Sequence, residues 1–274
     1  MKNIYLILFL TILIFSCKNK ETNENFASKE TNKEVESSEY LLNATLWVQT
    51  SGEYRACCYQ AFNYAKIAVE NNLKTVKKDK APAVIFDIDE TVIDNSFFEA
   101  NLIKENTVYT KENWKEWTDM SAACAIPGAI DFLKFLESKN VEIVYITNRK
   151  EDEKEASIKN MEKLGFPKIK EENYYSKIEE SNKDARRTKV AEMYNIILLV
   201  GDNLGDFDSI LDQRENDYGF SIVDELREHF GTSFIILPNP MYGHWEDALY
   251  KNKEKSNMEN KYDALKGYTQ SCLR

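Results

Sequence analysis

Four short apolar runs fix the fold class of this 274-residue chain. They are rich in Val, Ile and Leu and occupy residues 83–88, 141–147, 196–202 and 234–238. A strand of a parallel sheet is buried on both faces, so its sequence is a nearly continuous apolar run. Segments with helical periodicity separate the runs, at residues 126–138, 151–164 and 184–194. This alternation predicts an α/β fold with a doubly wound, mainly parallel sheet.

Two further segments flank or interrupt that alternation. Residues 39–73 carry apolar and aromatic side chains at helical spacing, with a break at Ser51–Gly52. Residues 95–125 are rich in aromatic and polar side chains and separate the first run from the next helix. We expect these two segments to form a helical cap on an α/β core of about residues 80–250. The folded domain as a whole is predicted to span residues 39–274.

The first sixteen residues have the character of an export signal. Lys2 precedes an apolar run at residues 4–15, and this run is shorter than the roughly twenty residues that span a bilayer. The run ends at Ser16–Cys17, which resembles a bacterial lipobox with cleavage before Cys17 and acylation of its thiol. An ordinary secretory peptide and an uncleaved anchor are the alternatives. Residues 17–38 are polar and predict a disordered tether behind the lipidated cysteine.

The predicted destination is the bacterial cell envelope, where the lipid anchor on Cys17 holds the exported protein to a membrane, with the outer membrane favoured. Disulfides form in exported proteins, and four further cysteines allow three connectivities. These are Cys57, Cys58, Cys124 and Cys272. Their spacing does not match a zinc site, so free thiols and one long-range bridge both stay open.

The formal net charge of −10 argues against a nucleic-acid polymer as partner, because such binders carry a basic face. A single nucleotide or sugar phosphate needs only local positive charge. The chain has two histidines, neither directly after an arginine, and it has no phosphate-loop motif and no H-E-x-x-H zinc motif. The oligomeric state stays open, including a homo-oligomer.

Reactive side chains follow three of the four apolar runs. The segments are D-I-D-E-T at 87–91, T-N-R at 147–149 and G-D-N-L-G-D at 201–206. In a doubly wound sheet ligands bind beyond the carboxyl ends of the strands, so these segments are expected to converge on one site. A calcium loop at 201–208 is the alternative for the third segment, but it lacks the glycine at position six and the glutamate at position twelve of a helix-loop-helix calcium site.

These segments, with a later lysine, resemble the four motifs of the haloacid dehalogenase superfamily of aspartate-based phosphatases. More narrowly, the chain is similar to the class C acid phosphatases, bacterial lipoproteins that include surface 5′-nucleotidases. The resemblance covers about residues 46–248 and rests on DIDETVIDNS, PGAIDFLKFL, NKDARRTKV, GDNLGDF and LPNPMYGHWE. It implies a metal-dependent acid phosphatase that uses Mg²⁺ and an aspartyl-phosphate intermediate to hydrolyse small phosphomonoesters, chiefly nucleoside 5′-monophosphates.

The resemblance also assigns roles to the acids. It makes Asp87 the nucleophile and a ligand of Mg²⁺, together with Asp202 and the backbone carbonyl of Asp89, while Asp206 holds a metal-bound water or the metal itself. Asp89 is implied to be the general acid for the leaving group and then the general base for water. The metal and a lysine are expected to keep Asp87 ionised while Asp89 holds a proton, because environments that separate two carboxyl pKa values separate their roles.

Other residues are assigned to phosphate and substrate. Thr147 and Asn148 are implied to bind phosphoryl oxygens, and Lys183 fits the motif lysine best. Lys177 and Lys189 are competing candidates for that lysine. Three aromatic residues are expected to stack on a nucleobase, with breadth across bases: Phe97, Phe98 and Tyr242. Two alternatives for the function stay open: a phosphotransferase of the same fold, and a surface-binding lipoprotein without catalysis.

Overall fold

The computed structural model describes residues 37–267 and confirms the α/β fold predicted from the apolar runs. Its strands are β1 Pro82–Phe86, β2 Ile93–Asp94, β3 Cys124–Ala125, β4 Glu142–Lys150, β5 Tyr174–Lys177, β6 Asn195–Gly201 and β7 Phe234–Ile236. Its α-helices are α1 Leu42–Thr50, α2 Gly52–Thr75, α3 Ser96–Lys104, α4 Lys111–Met120, α5 Ala129–Ser138, α6 Lys154–Lys163, α7 Asp184–Met193, α8 Phe220–Glu225, α9 His244–Asp247 and α10 Asn257–Ala264.

Five strands form one parallel sheet in the order β5-β4-β1-β6-β7. β4 and β5, which follow β1 in the chain, lie on one side of it, and the later strands β6 and β7 lie on the other side. The strand order therefore reverses beside β1. Such a switch point opens a crevice at the carboxyl ends of the strands, and this crevice is where ligands bind in doubly wound sheets.

Helices cover both faces of this sheet. On one face Phe86 of β1 contacts Phe132 of α5, with ring centroids 5.8 Å apart, and Phe132 contacts Phe62 of α2 at 5.6 Å. On the other face Ile85 packs in a cluster with Val190 of α7. Neighbouring residues of a strand point to opposite faces, so β1 is buried on both sides, as its continuous apolar sequence requires.

The predicted break between the N-terminal helices is confirmed. Ser51 has an extended backbone (φ −89°, ψ 138°), which ends α1. Its hydroxyl accepts a hydrogen bond from the backbone N–H of Tyr54 at 3.1 Å and so caps the start of α2. One serine therefore both stops one helix and starts the next.

Several predicted boundaries differ from the structure. β4 does not end at Thr147 but continues to Lys150, which pairs with β5. β5 was not predicted, because this edge strand has the sequence YYSK rather than an apolar run. Helix α5 begins three residues later than predicted, since Gly128 at its N-cap has a φ of 91°, a conformation that glycine adopts without strain.

The insertion at residues 95–125 folds as α3 and α4, followed by β3, which pairs with β2. Phe98 of α3 is only 4% exposed and lies in an aromatic cluster, with its ring centroid 5.2 Å from that of Trp114 and 6.3 Å from that of Tyr109. The prediction that Phe98 stacks on a substrate is therefore wrong, because its ring is already covered by the core of the insertion.

Three of the four cysteines left for pairing lie in the described part of the chain. Cys57 and Cys124 are exposed, Cys58 is buried, and all three are free thiols. Cys272 lies outside the described residues, as do Cys17, the predicted signal peptide and most of the predicted tether. Within residues 37–267 no helix is both long enough and apolar enough to cross a bilayer.

Candidate active site

Three strands bring the predicted site residues to one edge of the sheet. Asp87 directly follows β1, Asp202 directly follows β6, and Thr147 lies near the end of β4. The backbone N–H of Asp87 donates to the carbonyl of Val200 at 3.0 Å, which holds the loop after β1 against β6. The residues named from the sequence thus converge at the carboxyl end of the central strand, at the switch point.

Asp87, Asp202, Asp206 and Lys183 form a cluster that we call the acidic pocket. One oxygen from each of the three carboxylates lies within 4.8 Å of the others. Lys183 Nζ is ion-paired with Asp87 and with Asp206, the latter at 2.7 Å. The pocket therefore brings three carboxyl groups against one ammonium group.

Burial raises the pKa of Asp87 above its ordinary value, although Lys183 acts in the opposite direction. The pKa of Asp202 is raised well above its ordinary value by burial and by the charges of Asp206 and Asp87. Burial lowers the pKa of Lys183, but Asp206 and Asp87 outweigh burial and leave that pKa raised. The lysine thus stays protonated, and it does not by itself offset the burial of Asp87.

The donor set of the acidic pocket fits a divalent cation such as Mg²⁺, which prefers hard oxygen ligands. Three carboxylates that lie this close together repel one another. A divalent cation bound between them is favourable, because its positive charge offsets that repulsion. The carboxylate of Asp89 lies outside this donor set, since it is paired with Arg149. Its expected contribution is therefore the backbone carbonyl, as the sequence resemblance implied.

The three candidate lysines have different surroundings. Lys183 is buried and contacts Asp87 and Asp206. Lys177 Nζ donates to the hydroxyl of Ser181 at 2.7 Å, and Lys189 Nζ lies over the ring of Tyr175, 5.6 Å from its centroid. The geometry favours Lys183 as the phosphate-site lysine.

Local backbone requirements explain the G-D-N-L-G-D segment. A Cβ atom at Gly201 would overlap the carboxylate of Asp206, so only glycine fits there. The Asp206 carboxylate accepts a hydrogen bond from the backbone N–H of Asn203 at 2.9 Å, which closes the loop. Asp202 accepts from Nδ2 of Asn239 at 2.8 Å, so the segment after β7 also orients a site acid.

Asp89, Arg149 and Asn95 form a second cluster that we call the arginine clamp. Arg149 Nε donates to Asp89 Oδ1 at 3.0 Å and to Oδ2 at 3.2 Å, and its second terminal nitrogen donates to Oδ1 at 2.7 Å. Asn95 Nδ2 also donates to Oδ1, at 2.8 Å. Arg149 is 3% exposed. This pairing holds the Asp89 carboxylate in one orientation.

The loop between the two clusters is held by Glu90. Its φ is 55° and it is 2% exposed, so its side chain is turned inward from the D-x-D segment. Its carboxylate accepts from the backbone N–H of Asn95 at 2.7 Å and from Asn95 Nδ2 at 3.2 Å. Burial raises the pKa of Glu90 well above its usual range, and Asp89 and Asp202 raise it further.

Thr147 and Asn148 sit side by side on β4 but face different directions. Thr147 is fully buried, and its hydroxyl accepts from the backbone N–H of Arg149 at 3.0 Å, whereas Asn148 is exposed. Arg186 of α7 donates to the Thr147 carbonyl at 2.6 Å and to Asn148 Oδ1 at 2.9 Å. The helix that follows Lys183 is thereby tied to the predicted phosphate-binding residues.

Two of the predicted stacking residues keep exposed surface. Phe97 is 48% exposed at the start of α3. Tyr242 is half-buried, and its loop is tied to the acidic pocket because Asn239, which holds Asp202, also accepts from the backbone N–H of Met241 at 3.0 Å. Phe97 and Tyr242 therefore keep accessible aromatic surface, and Phe98 does not.

Four residues of the site were given no role from the sequence. They are Asn95, Arg149, Arg186 and Asn239. A signal existed for Arg149: residues i and i+2 of a strand face the same side, so an arginine two positions after Thr147 points to the same crevice. The other three lie in loops or on a helix, where spacing carries no such information.

Comparisons with known proteins identify the family of this chain. Residues 12–245 match the family model described as HAD superfamily, subfamily IIIB (Acid phosphatase). The chain is similar to the crystal structure of the class C acid phosphatase from Bacillus anthracis with tungstate bound, at 39% identity and a TM-score of 0.79, covering 84% of this chain and 98% of that chain. A second structure of the class C acid phosphatase from Bacillus anthracis has 40% identity with the same coverage and TM-score. The chain therefore belongs to subfamily IIIB of the HAD superfamily, the acid phosphatases, and is a phosphomonoesterase.

Proposed function

We propose that this enzyme hydrolyses nucleoside 5′-monophosphates and other small phosphomonoesters through an aspartyl-phosphate on Asp87, with Mg²⁺ in the acidic pocket. The observation that carries the proposal is the position of Asp87, buried at the end of the central strand, ion-paired with Lys183 and close to two further carboxylates. The similar phosphatase from Bacillus anthracis has tungstate bound, a tetrahedral oxyanion shaped like phosphate, which supports a phosphate ester as the substrate.

In the first step a carboxylate oxygen of Asp87 attacks phosphorus. A bond forms between that oxygen and phosphorus, and the bond between phosphorus and the leaving oxygen breaks. The leaving oxygen takes the electron pair of the broken bond and a proton from Asp89, which is left as a carboxylate. Thr147 and Asn148 bind the phosphoryl oxygens, and Lys183 offsets part of their charge.

In the second step water removes the phosphoryl group from the enzyme. The water oxygen bonds to phosphorus, one water proton passes to Asp89, and the electron pair of the phosphorus bond returns to the Asp87 carboxylate. Phosphate is released, and Asp89 again carries the proton that the next leaving group needs. One carboxyl group thus serves as acid and then as base.

When bound, Mg²⁺ would supply positive charge that offsets the repulsion between the Asp87 carboxylate and a phosphomonoester dianion. Asp87, Asp202 and Asp206 would hold it with their side chains, and Asp89 with its backbone carbonyl. Three carboxyl oxygens within 4.8 Å of one another support this assignment.

The leaving group is proposed to lie between Phe97 and Tyr242. Stacking of a base on an aromatic ring is worth about 1–3 kcal/mol and tolerates every base, because each base has a π-face. We therefore propose breadth across nucleoside monophosphates rather than a preference for one of them.

The test is a steady-state panel of 5′- and 3′-nucleotides, sugar phosphates and aryl phosphates, run with Mg²⁺, with chelator, and with Mg²⁺ restored. We expect phosphate release from 5′-nucleotides of every base, loss of that activity in chelator and its recovery with Mg²⁺. Failure to release phosphate from both p-nitrophenyl phosphate and adenosine monophosphate contradicts the proposal. An added nucleoside acceptor separates hydrolysis from phosphotransfer, because only a phosphotransferase converts that acceptor into a new phosphomonoester.

We also propose that the protein is a lipoprotein of the bacterial cell envelope, anchored through acylated Cys17. The apolar run at residues 4–15 and the Ser16–Cys17 pair support this. Replacement of Cys17 by alanine should move the protein from the membrane fraction to the soluble exported fraction. A Cys17→Ala variant that stays in the membrane fraction contradicts lipidation at this residue.

A further inference from the structure

The two oxygens of Asp89 have unequal surroundings. Oδ1 accepts hydrogen bonds from Arg149 Nε at 3.0 Å, from an Arg149 terminal nitrogen at 2.7 Å and from Asn95 Nδ2 at 2.8 Å. Oδ2 accepts only one longer contact, from Arg149 Nε at 3.2 Å, among the contacts of the described residues. A carboxylate held this way is anchored through one oxygen, and the other oxygen is left for chemistry.

We propose that Arg149 and Asn95 are positioning residues that anchor Asp89 through Oδ1, so that Oδ2 carries the proton to and from the reacting oxygens. The inference rests on the proposed function, because it concerns the acid and base step of that reaction. The arginine clamp thus orients the group that transfers the proton, whereas the acidic pocket holds the nucleophile. A proton donor must lie within hydrogen-bond reach of the leaving oxygen, so its orientation controls its efficiency.

The orientation of Asn95 is itself fixed by the insertion. Trp117 Nε1 donates to Asn95 Oδ1 at 2.9 Å, and an indole nitrogen can only donate. The amide oxygen of Asn95 must therefore face Trp117, and its NH₂ group faces Asp89. Asn95 is fully buried, which keeps water from replacing either partner. Trp117 of α4 thus reaches the proton-transfer group through one intermediate residue.

Arg149 is fixed at both ends as well. Its remaining terminal nitrogen donates to the hydroxyl of Ser157 at 2.9 Å, and its guanidinium carbon lies 5.6 Å from the ring centroid of Trp114. The planar fork of an arginine can hold a carboxylate through two parallel bonds, and lysine cannot reproduce that geometry although it keeps the charge. Arg149→Lys therefore separates orientation from charge.

Leaving-group chemistry provides the readout. An alkyl leaving group needs a proton as its bond to phosphorus breaks, whereas a strongly acidic phenol departs as the anion without one. Misplacement of Asp89 should thus lower kcat/KM for an alkyl phosphate and leave kcat/KM for 2,4-dinitrophenyl phosphate little changed. A variant in which less of the enzyme is correctly folded loses both kcat/KM values in the same proportion.

The experiment measures both kcat/KM values with Mg²⁺ for the wild type, Arg149→Met, Arg149→Lys and Trp117→Phe. Since general acid catalysis contributes about 10²–10⁴-fold, the alkyl-to-aryl ratio should fall about 30-fold in Arg149→Met, about tenfold in Arg149→Lys and about threefold in Trp117→Phe. Two matched controls should leave the ratio unchanged. Trp47→Phe alters a tryptophan that packs on Tyr54, and Arg187→Lys alters a buried arginine that is paired with Asp184 and donates to the carbonyls of Gly205 and Asp206 rather than to Asp89.

An unchanged ratio in all three clamp variants overturns the inference, whether their activities stay equal to wild type or fall together. Should the Arg149 variants fail to fold, Trp117→Phe decides, because it removes one hydrogen-bond donor and keeps an aromatic ring in place. A wild-type protein that releases phosphate from neither ester overturns the proposed function and this inference with it. A wild type that is active with both esters tests the inference alone.

Discussion

Asp87 and Asp89 are separated by one residue, yet the acidic pocket and the arginine clamp surround them with opposite charge. Asp87 is grouped with Asp202 and Asp206 against the single cation Lys183. Asp89 is held by Arg149, whose guanidinium stays protonated in proteins. The three carboxylates of the acidic pocket share one cation, whereas Asp89 has one cation to itself.

This difference separates the roles of two chemically identical side chains. A pocket with excess negative charge attracts a divalent cation and, through it, an anionic substrate. A carboxylate with a fixed partner is held in one orientation, which suits proton transfer. Two nearby carboxyl groups with different charged surroundings are typical of paired catalytic acids.

The largest expected effect is the loss of activity on replacement of Asp87. Asp87→Asn removes the nucleophile, so phosphate release should fall at least about 10⁴-fold. Asp89→Asn keeps the nucleophile and loses proton transfer, so its loss should be smaller, about 10²–10³-fold, and greatest for alkyl phosphates. Steady-state phosphate release measures both. Equal losses in the two variants, or most of the activity retained in Asp87→Asn, would contradict the division of roles.

Lys183 should have the next largest effect. Lys183→Met removes the one cation of the acidic pocket, so kcat/KM should fall about 10²-fold, the scale of one electrostatic contact to a transition state. Lys189→Met is the matched control, because Lys189 lies on Tyr175 and not in the pocket. Its kcat/KM should equal that of the wild type. A loss in Lys189→Met as large as in Lys183→Met would show that the wrong lysine was assigned.

The sequence predicts the acidic pocket better than the clamp for a physical reason. Asp87 and Asp202 follow buried strands, and the ends of parallel strands converge by topology alone. Lys183 lies just before a helix, and its position depends on how α7 packs, so three lysines stayed open from sequence. Its contacts with Asp87 and Asp206 come only from tertiary structure.

The arginine clamp depends on the insertion, where no periodicity guides prediction. Asn95 and Trp117 meet because α3 and α4 fold back on each other, and their 22-residue separation carries no signal of contact. The same packing buries Phe98, which the sequence alone places equally well at a substrate surface. Strand alternation therefore predicts the reacting carboxylates, and side-chain packing decides what orients them.

The stability of Asp202→Asn tests whether the acidic pocket carries excess negative charge. Asp202 is half-buried beside two acids, so in the absence of metal its charge opposes folding. In chelator the variant should be more stable than the wild type by about 1–3 kcal/mol in urea unfolding, a usual size for removal of a buried repulsion. In Mg²⁺ the order should reverse, because a bound cation stabilises only a protein that can hold it. A variant less stable than the wild type in chelator would contradict an excess of negative charge in the pocket.

Glu99 is a buried acid that belongs to neither cluster, and its expected effect is on stability alone. It is 6% exposed on α3, and burial together with the charge of Glu246 raises its pKa to about 7. Glu246 itself is paired with Lys261 of α10 at 2.5 Å. An acid whose pKa is higher in the folded than in the unfolded protein binds more protons when folded. Stability should therefore fall as pH rises from about 4.5 to about 7.

Glu99→Gln should remove this part of the pH dependence, because glutamine does not ionise. The variant should match the wild type near pH 4.5 and exceed it by about 3 kcal/mol above pH 7, since each unit of pKa difference is worth about 1.4 kcal/mol. Urea unfolding across this range in chelator measures the difference, with Glu105→Gln at the exposed end of α3 as control. A gain in Glu99→Gln that is the same at every pH would mean that packing, not ionisation, sets the effect. A gain confined to high pH would show that a buried acid lacking the clamp's arginine destabilises the cap once it is charged.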